Sequence, residues 1–149
     1  MKAVIQRVTY SNLSIENKTY SQIKRGLVVL LGITHDDDDN DIQWLAKKIV
    51  NLRIFNDDKN IMNKSLIDVS GELMIVSQFT LHAQTKKGNR PSYIDAANGD
   101  IAEKIYKSFI LEIENKYNLK PKTGKFGADM KVELENDGPV TIIIDTKNK

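Results

Sequence analysis

The chain has 149 residues, 40% of them hydrophobic and 28% charged, with a formal net charge of +2, the make-up of one globular domain, residues 1–149, around one core. It contains no cysteine, which excludes a disulfide framework, a thiol nucleophile and cysteine-ligated zinc and suits a reducing cytoplasm. So small a charge projects no global field toward a polyanion, and no stretch approaches the roughly 20 apolar residues of a membrane-spanning helix, so a nucleic-acid partner needs a local basic patch.

Residues 2–16 are rich in Val, Ile, Thr and Tyr with rough alternation and read as a strand or hairpin arm. The opening MKAVIQRVTYSN lacks the apolar block and small-residue cleavage site of a signal peptide. Residues 27–33 (LVVLLGI) are continuously apolar, short and β-branched, which predicts a buried strand. After the acidic run HDDDDND, residues Ile42, Leu45, Ala46, Ile49 and Arg53 recur at helical spacing. The acidic run then caps a helix N-terminus, where the helix dipole favours negative charge.

A second buried strand is predicted over residues 73–81 (LMIVSQFTL), leading into the polar loop HAQTKKGNRPS. Residues 100–117 form the better helix: Ile101, Ile105, Phe109 and Ile113 recur every fourth residue, and Asp100 with Glu103 makes a capping box. The chain closes with strands at 130–134 and 140–144 around a turn at Asn136-Asp137-Gly138-Pro139. Several strands with two helices between them suggest a curved mixed sheet or barrel with helices on one side.

Three stretches are candidates for chemistry. In SQFTL, a continuing strand puts Ser77, Phe79 and Leu81 on one face and Gln78, Thr80 and His82 on the other. Strand ends that feed polar loops often present reactive groups, although burial and hydrogen bonding alone read the segment as ordinary core. The loop 85–92 carries Lys86, Lys87 and Arg90 beside Gly88, a set that binds phosphate, the arginine with a planar fork. Composition alone reads this loop as solvated, and Lys120, Lys122 and Lys125 in the same way. Gly138-Pro139 joins two strands, and because only about 5–6% of X-Pro bonds in folded proteins are cis, local sequence predicts a trans bond and a plain turn.

Other chemistries find little support. A Ser–His–Asp relay from Ser77 or Thr80 to His82 needs converging side chains, whereas residues two apart along a strand point in parallel. The run from His35 to Asp39 lacks the glycine and distal glutamate of a calcium loop. No glycine-rich phosphate loop of either common type is present.

Taken together, MKAVIQRV, Arg53-Ile54-Phe55 followed by Met62-Asn63, SQFTL running into the loop 85–92, and GKFGADMKVELENDGPVT resemble the D-aminoacyl-tRNA deacylase family nearly end to end. The resemblance implies an α/β (α+β) subunit, a compact β-barrel-like mixed sheet with helices packed outside, acting as a homodimer with active sites at the interface. The substrate implied is D-aminoacyl-tRNA, presented by its 3′-terminal adenosine, with no cofactor, metal, membrane or DNA. Ser77, Gln78, Phe79 and Thr80 then line the pocket, and Lys87 and Arg90 of the basic loop are the candidates for binding the substrate's phosphates. Gly138 and Pro139, joined by a cis bond, reach the pocket of the other subunit and crowd out an L side chain, so that D-amino acids and glycine remain. Arg7 holds that motif. Thr80 is the obvious side-chain nucleophile, but the motif offers no convincing general base, and the family picture favours help from the 2′-hydroxyl of the terminal ribose. Two rivals stand beside this reading: a non-catalytic module that clamps an RNA 3′ end, and an esterase built on Thr80 and His82.

Overall fold

The run Leu27–Leu31 is apolar without alternation because both faces of its strand are covered. The computed structural model, which describes residues 1–148, runs β1 (Lys2–Ile15), β2 (Lys18–Ile23), β3 (Gly26–Gly32), α1 (Asp39–Asn51), β4 (Phe55–Asn56), β5 (Met62–Lys64), β6 (Glu72–Ser77), a 3₁₀ turn (Phe79–His82), α2 (Gly99–Tyr117), β7 (Lys122–Thr123) and β8 (Lys131–Asp145). One mixed sheet has the order β2-β1-β3-β6-β7, with β8 on the other side of β1; β4 and β5 form a separate hairpin. β1 is antiparallel to β2, β3 and β8, while β3 and β6, and β6 and β7, are parallel. Ser21 Oγ on β2 donates to the Thr123 carbonyl on β7 at 2.9 Å, joining the two ends of the strand order so that the sheet curls into a nearly closed barrel.

Two apolar layers result. Leu27, Val29 and Leu31, with Ala3, Ile5 and Ile75, face the helices and meet Leu45, Ile49, Phe109 and Ile113. Val28, with Val8, Leu13, Met74 and Val76, fills the other face, where Leu30 and Leu134 pack against them. Both helices therefore cover the same layer, as the α+β reading expects.

The helix ends differ in detail from expectation. Asp38 caps α1 in a true capping box with Asp41, so the acidic run does serve the helix N-terminus. Arg53 falls beyond its last turn. On α2 the cap is Asn98, whose side chain accepts from the Ile101 N–H at 3.0 Å; this displaces the expected Asp100–Glu103 box, because the helix begins one residue earlier, at Gly99. The buried face of α2 is Ala102, Tyr106, Phe109 and Ile113, and Ile101 is 41% exposed.

The last segment is one strand, β8, where two were expected. Its ladder with β1 runs from the Lys2–Asp145 pair to the Ser14–Lys131 pair. Between the Gln6–Thr141 and Val8–Asn136 pairs, a single β1 residue, Arg7, faces four residues of β8. The surplus leaves the sheet as an excursion that contains Gly138-Pro139. At the chain's start, the buried Met1 ammonium pairs with Asp37 and donates to Thr146 Oγ1 at 2.7 Å. Lys147 Nζ lies 2.7 Å from Asp41 Oδ2 and 3.4 Å from Asp37 Oδ1.

Candidate active site

The strand predicted to reach Leu81 stops at Ser77. The Gln78 N–H still donates to the Leu31 carbonyl at 2.8 Å, but the chain then folds over: Leu81 N–H reaches the Gln78 carbonyl at 3.3 Å and Ala83 N–H the Thr80 carbonyl at 3.1 Å. The two-faced alternation of SQFTL therefore gives way to a turn that fans its side chains out. Ser77, Gln78 and Thr80 are half-buried, Phe79 is exposed and His82 is buried. Periodicity could not show this, because a 3₁₀ turn of four residues carries no period of its own.

Ser77, Gln78 and Phe79 form one wall of a cleft of about 310 Å³, the low end of the range for small-ligand pockets. The opposite wall is Phe126-Gly127-Ala128-Asp129-Met130, with Leu31, Val76 and Ala102 among the residues beneath. That second wall was not singled out from sequence for any role in the site. Its only signal was GKFGADM, which has no chemistry-bearing pattern until the fold sets it against the turn. A larger groove of about 660 Å³ near Tyr10 and Tyr20, at the other end of β6, includes Lys122 but none of the residues of SQFTL, the loop 85–92 or the Gly138-Pro139 turn.

Gln78 Nε2 donates to Thr80 Oγ1 in a short hydrogen bond. Among the described residues no carboxylate or imidazole is bonded to that hydroxyl, so nothing is arranged to take its proton. His82, two residues on, is no partner for it: its Nε2 has no hydrogen-bond partner and its ring lies on Gly32. As the first N–H groups of the turn, those of Phe79 and Thr80 have no acceptor within it.

The basic loop is pinned to the mouth of this cleft. Gln84 and Ser92 exchange two backbone hydrogen bonds, at 2.7 and 3.0 Å, closing the segment between them into a projecting tip. Tyr93 then meets Phe79 edge to face, with ring centroids 5.0 Å apart. Lys86, Lys87 and Arg90 are exposed, and among the described residues none of the three has an ion pair or hydrogen bond.

Arg7 and the excursion form a separate cluster. The guanidinium, 6% exposed, donates from Nε to the Asp137 carbonyl at 3.1 Å and from Nη1 to the Ile54 carbonyl at 2.6 Å and Asn56 Oδ1 at 3.3 Å. Asn136 Oδ1 accepts from the Val140 N–H at 2.7 Å, tying the base of the excursion together. Gly138 has φ +125° and its bond to Pro139 is cis. The trans turn expected from local sequence is thus corrected: the pair sits in a surplus loop closed by Asn136 and Arg7, tertiary contacts that local statistics do not contain. Both residues are exposed, and neither lines the cleft of its own chain.

A family model described as D-Tyr-tRNA(Tyr) deacylase matches residues 4–145. The D-aminoacyl-tRNA deacylases of Parabacteroides distasonis and Flavobacterium psychrophilum are 56% and 55% identical to this chain over 149 residues, covering 100% of it and 99% of each relative. Among solved structures, the c-Myc DNA Unwinding Element Binding Protein superposes with a TM-score of 0.92 at 41% identity, covering 97% of this chain and 98% of that one.

Proposed function

The chain belongs to the D-Tyr-tRNA(Tyr) deacylase family, and on that premise we propose that it is an editing hydrolase for D-aminoacyl-tRNA, acting as a homodimer in the cytoplasm. The observation that carries the reading is the cleft at the end of β6, walled by Ser77, Gln78 and Phe79 and tied through Tyr93 to a loop of unpaired cations. A small pocket for an aminoacyl-adenosine end beside a phosphate-binding loop is what a charged tRNA requires.

Water attacks the ester carbonyl, the tetrahedral oxyanion accepts from the N–H groups of Phe79 and Thr80, and the 3′-oxygen leaves with a proton to regenerate the tRNA end. The ester is already activated, so positioning and oxyanion stabilisation supply most of what is needed. Thr80 follows the three residues that line the cleft and is not itself in its lining; its hydroxyl is engaged by Gln78, and the 2′-hydroxyl of the terminal ribose assists the attack. Lys87 and Arg90 hold the tRNA backbone.

Handedness is set by exclusion. Gly138 and Pro139 of one copy enter the cleft of the other, and their carbonyls occupy the space an L side chain needs. Two enantiomers carry the same groups, so gripping one gains little. A hydrophobic contact worth about 1–3 kcal/mol discriminates only about 10- to 200-fold, whereas a rigid wall rejects far more strongly. Glycyl-tRNA, with hydrogen at the crowded position, is a substrate as well.

Incubation with D-tyrosyl-tRNA tests the reading against its rivals. Release of free D-tyrosine with L-tyrosyl-tRNA left intact supports it. Protection of the ester makes the protein an RNA 3′-end binding module, and hydrolysis of simple esters without tRNA makes it a general esterase.

A further inference from the structure

His82, only 7% exposed, closes the 3₁₀ turn, and the ester-cleaving scheme above has no use for it. A Cβ built on Gly32 would lie 3.1 Å from His82 Cδ2, 3.0 Å from Leu81 Cβ and 3.1 Å from the Gln78 carbonyl. Both ends of the turn thus close on one bare Cα at the tip of β3, and the imidazole fills the space between them. Its buried Nε2 has no hydrogen-bond partner among the described residues, while the ring makes a hydrogen bond with the Gly32 backbone, so packing and one polar contact hold it against the same residue.

We propose that His82 is a positioning residue: wedged against Gly32, it fixes the angle at which the turn presents Phe79 and the N–H groups of Phe79 and Thr80 to the cleft. The proposal rests on the deacylase reading of that cleft, and it makes the wedge a property of the neutral ring. Burial pushes the imidazole below its usual 6.5, the Gly32 backbone pulls it the other way, Lys2 and the Met1 ammonium add to the lowering, and Asp37 opposes it. Those are the charged groups that face it, from β1 and from the approach to α1. A proton on the ring would sit buried with Nε2 unpaired, so acid drives the ring out and frees the turn.

The test compares His82→Ala, which removes the wedge, with His82→Phe, which keeps a ring and removes the titration. For D-tyrosyl-tRNA hydrolysis, H82A is expected to lower kcat by about 10- to 100-fold with KM little changed, the usual cost of a misplaced reacting geometry. H82F is expected to keep most of the wild-type kcat at neutral pH and to lose the acid decline that remains after correction for spontaneous ester hydrolysis. Amide hydrogen exchange at Leu81 and Ala83, whose N–H groups close the turn, is read without substrate. Faster exchange in H82A, and in the wild type as pH falls but not in H82F, is expected. This readout separates a failure of the wedge from a failure of the deacylase reading. Wild-type kcat and wild-type exchange in H82A overturn the proposal. Should H82A not fold, an H82F acid limb and exchange profile identical to the wild type's overturn it equally.

Discussion

Arg7 Nε stands 3.1 Å from both the carbonyl and the Oδ2 of Asp137, a single buried cation that ties the first strand to the excursion carrying Gly138-Pro139. Its Nη1 spends its hydrogen bonds on Ile54 and Asn56, so one planar fork spans two segments. Arg7→Met strands those buried acceptors at a cost of about 1–3 kcal/mol, or roughly 2–4 °C in Tm per kcal/mol for a chain of this size. Arg7→Lys restores the charge but not the fork and is expected to recover little. Calorimetry, with D- and L-tyrosyl-tRNA hydrolysis measured in parallel, checks both, and unchanged melting in R7M would show that the excursion stands without it.

Gly138 tolerates no side chain. With φ at +125°, an added Cβ would come within 2.8 Å of Val140 Cγ2 and 3.1 Å of Arg7 Nη2, in a backbone region that L residues rarely adopt. Gly138→Ala is expected to displace the excursion, raising L-tyrosyl-tRNA cleavage relative to D while the cleft itself stays formed. A D/L ratio equal to the wild type's would remove the pair from the selection of handedness.

Thr80→Ala is expected to slow the reaction modestly, since the hydroxyl is engaged by Gln78 and no base among the described residues is hydrogen-bonded to it. Loss of a required covalent nucleophile normally costs several orders of magnitude. The tRNA ending in 2′-deoxyadenosine should be the far poorer combination, and isolation of an acyl group on Thr80 would reverse the assignment.

Light scattering at micromolar concentration should find two chains per particle. Gly138 and Pro139 are exposed and absent from the cleft of their own chain, so their part in selection requires a second copy. A monomer with full activity and full discrimination would rule that out.

Asp41 makes the fold sensitive to acid in a defined window. Burial disfavours its charge, but hydrogen bonds from Lys147, Thr146 and the Asp38 N–H outweigh that and hold the carboxyl at about 2, against 3.8 ordinarily. A depressed carboxyl contributes stability that is whole above the unfolded value and fades as pH falls from about 3.8 toward 2. Asp41→Asn is expected to be less stable at neutral pH and to show a shallower loss across that interval, measured by urea unfolding at several pH values.

Patterned segments were legible in the sequence, and so were the motifs. Leu27–Leu31 and the helix ending near Asn51 lie where apolar spacing puts them, because burial and period are written into consecutive residues. The turn at Phe79–His82 and the surplus residues opposite Arg7 were not legible. Both depend on partners far away in the chain: the Leu31 carbonyl and Gly32 for the turn, Arg7 for the excursion. Likewise His82, at the head of the polar loop HAQTKKGNRPS, is buried where Gly32 leaves it room. The wall at Phe126–Met130 lies about 50 residues from the turn it faces, and no local pattern encodes such a meeting.

β8 pairs with β1 from Lys2–Asp145 to Ser14–Lys131, so β1 is synthesised well before the strand that covers its second side. At about 5–20 residues per second of synthesis, the wait is on the order of ten seconds. Through that interval β1 has one side without its neighbour, an open strand edge of the kind that invites pairing with other chains. The Arg7–Asp137 contact likewise cannot form until the final ladder closes. A nascent chain can therefore pack its helices against β3 and β6 well before the excursion that carries Gly138-Pro139 is fastened in place.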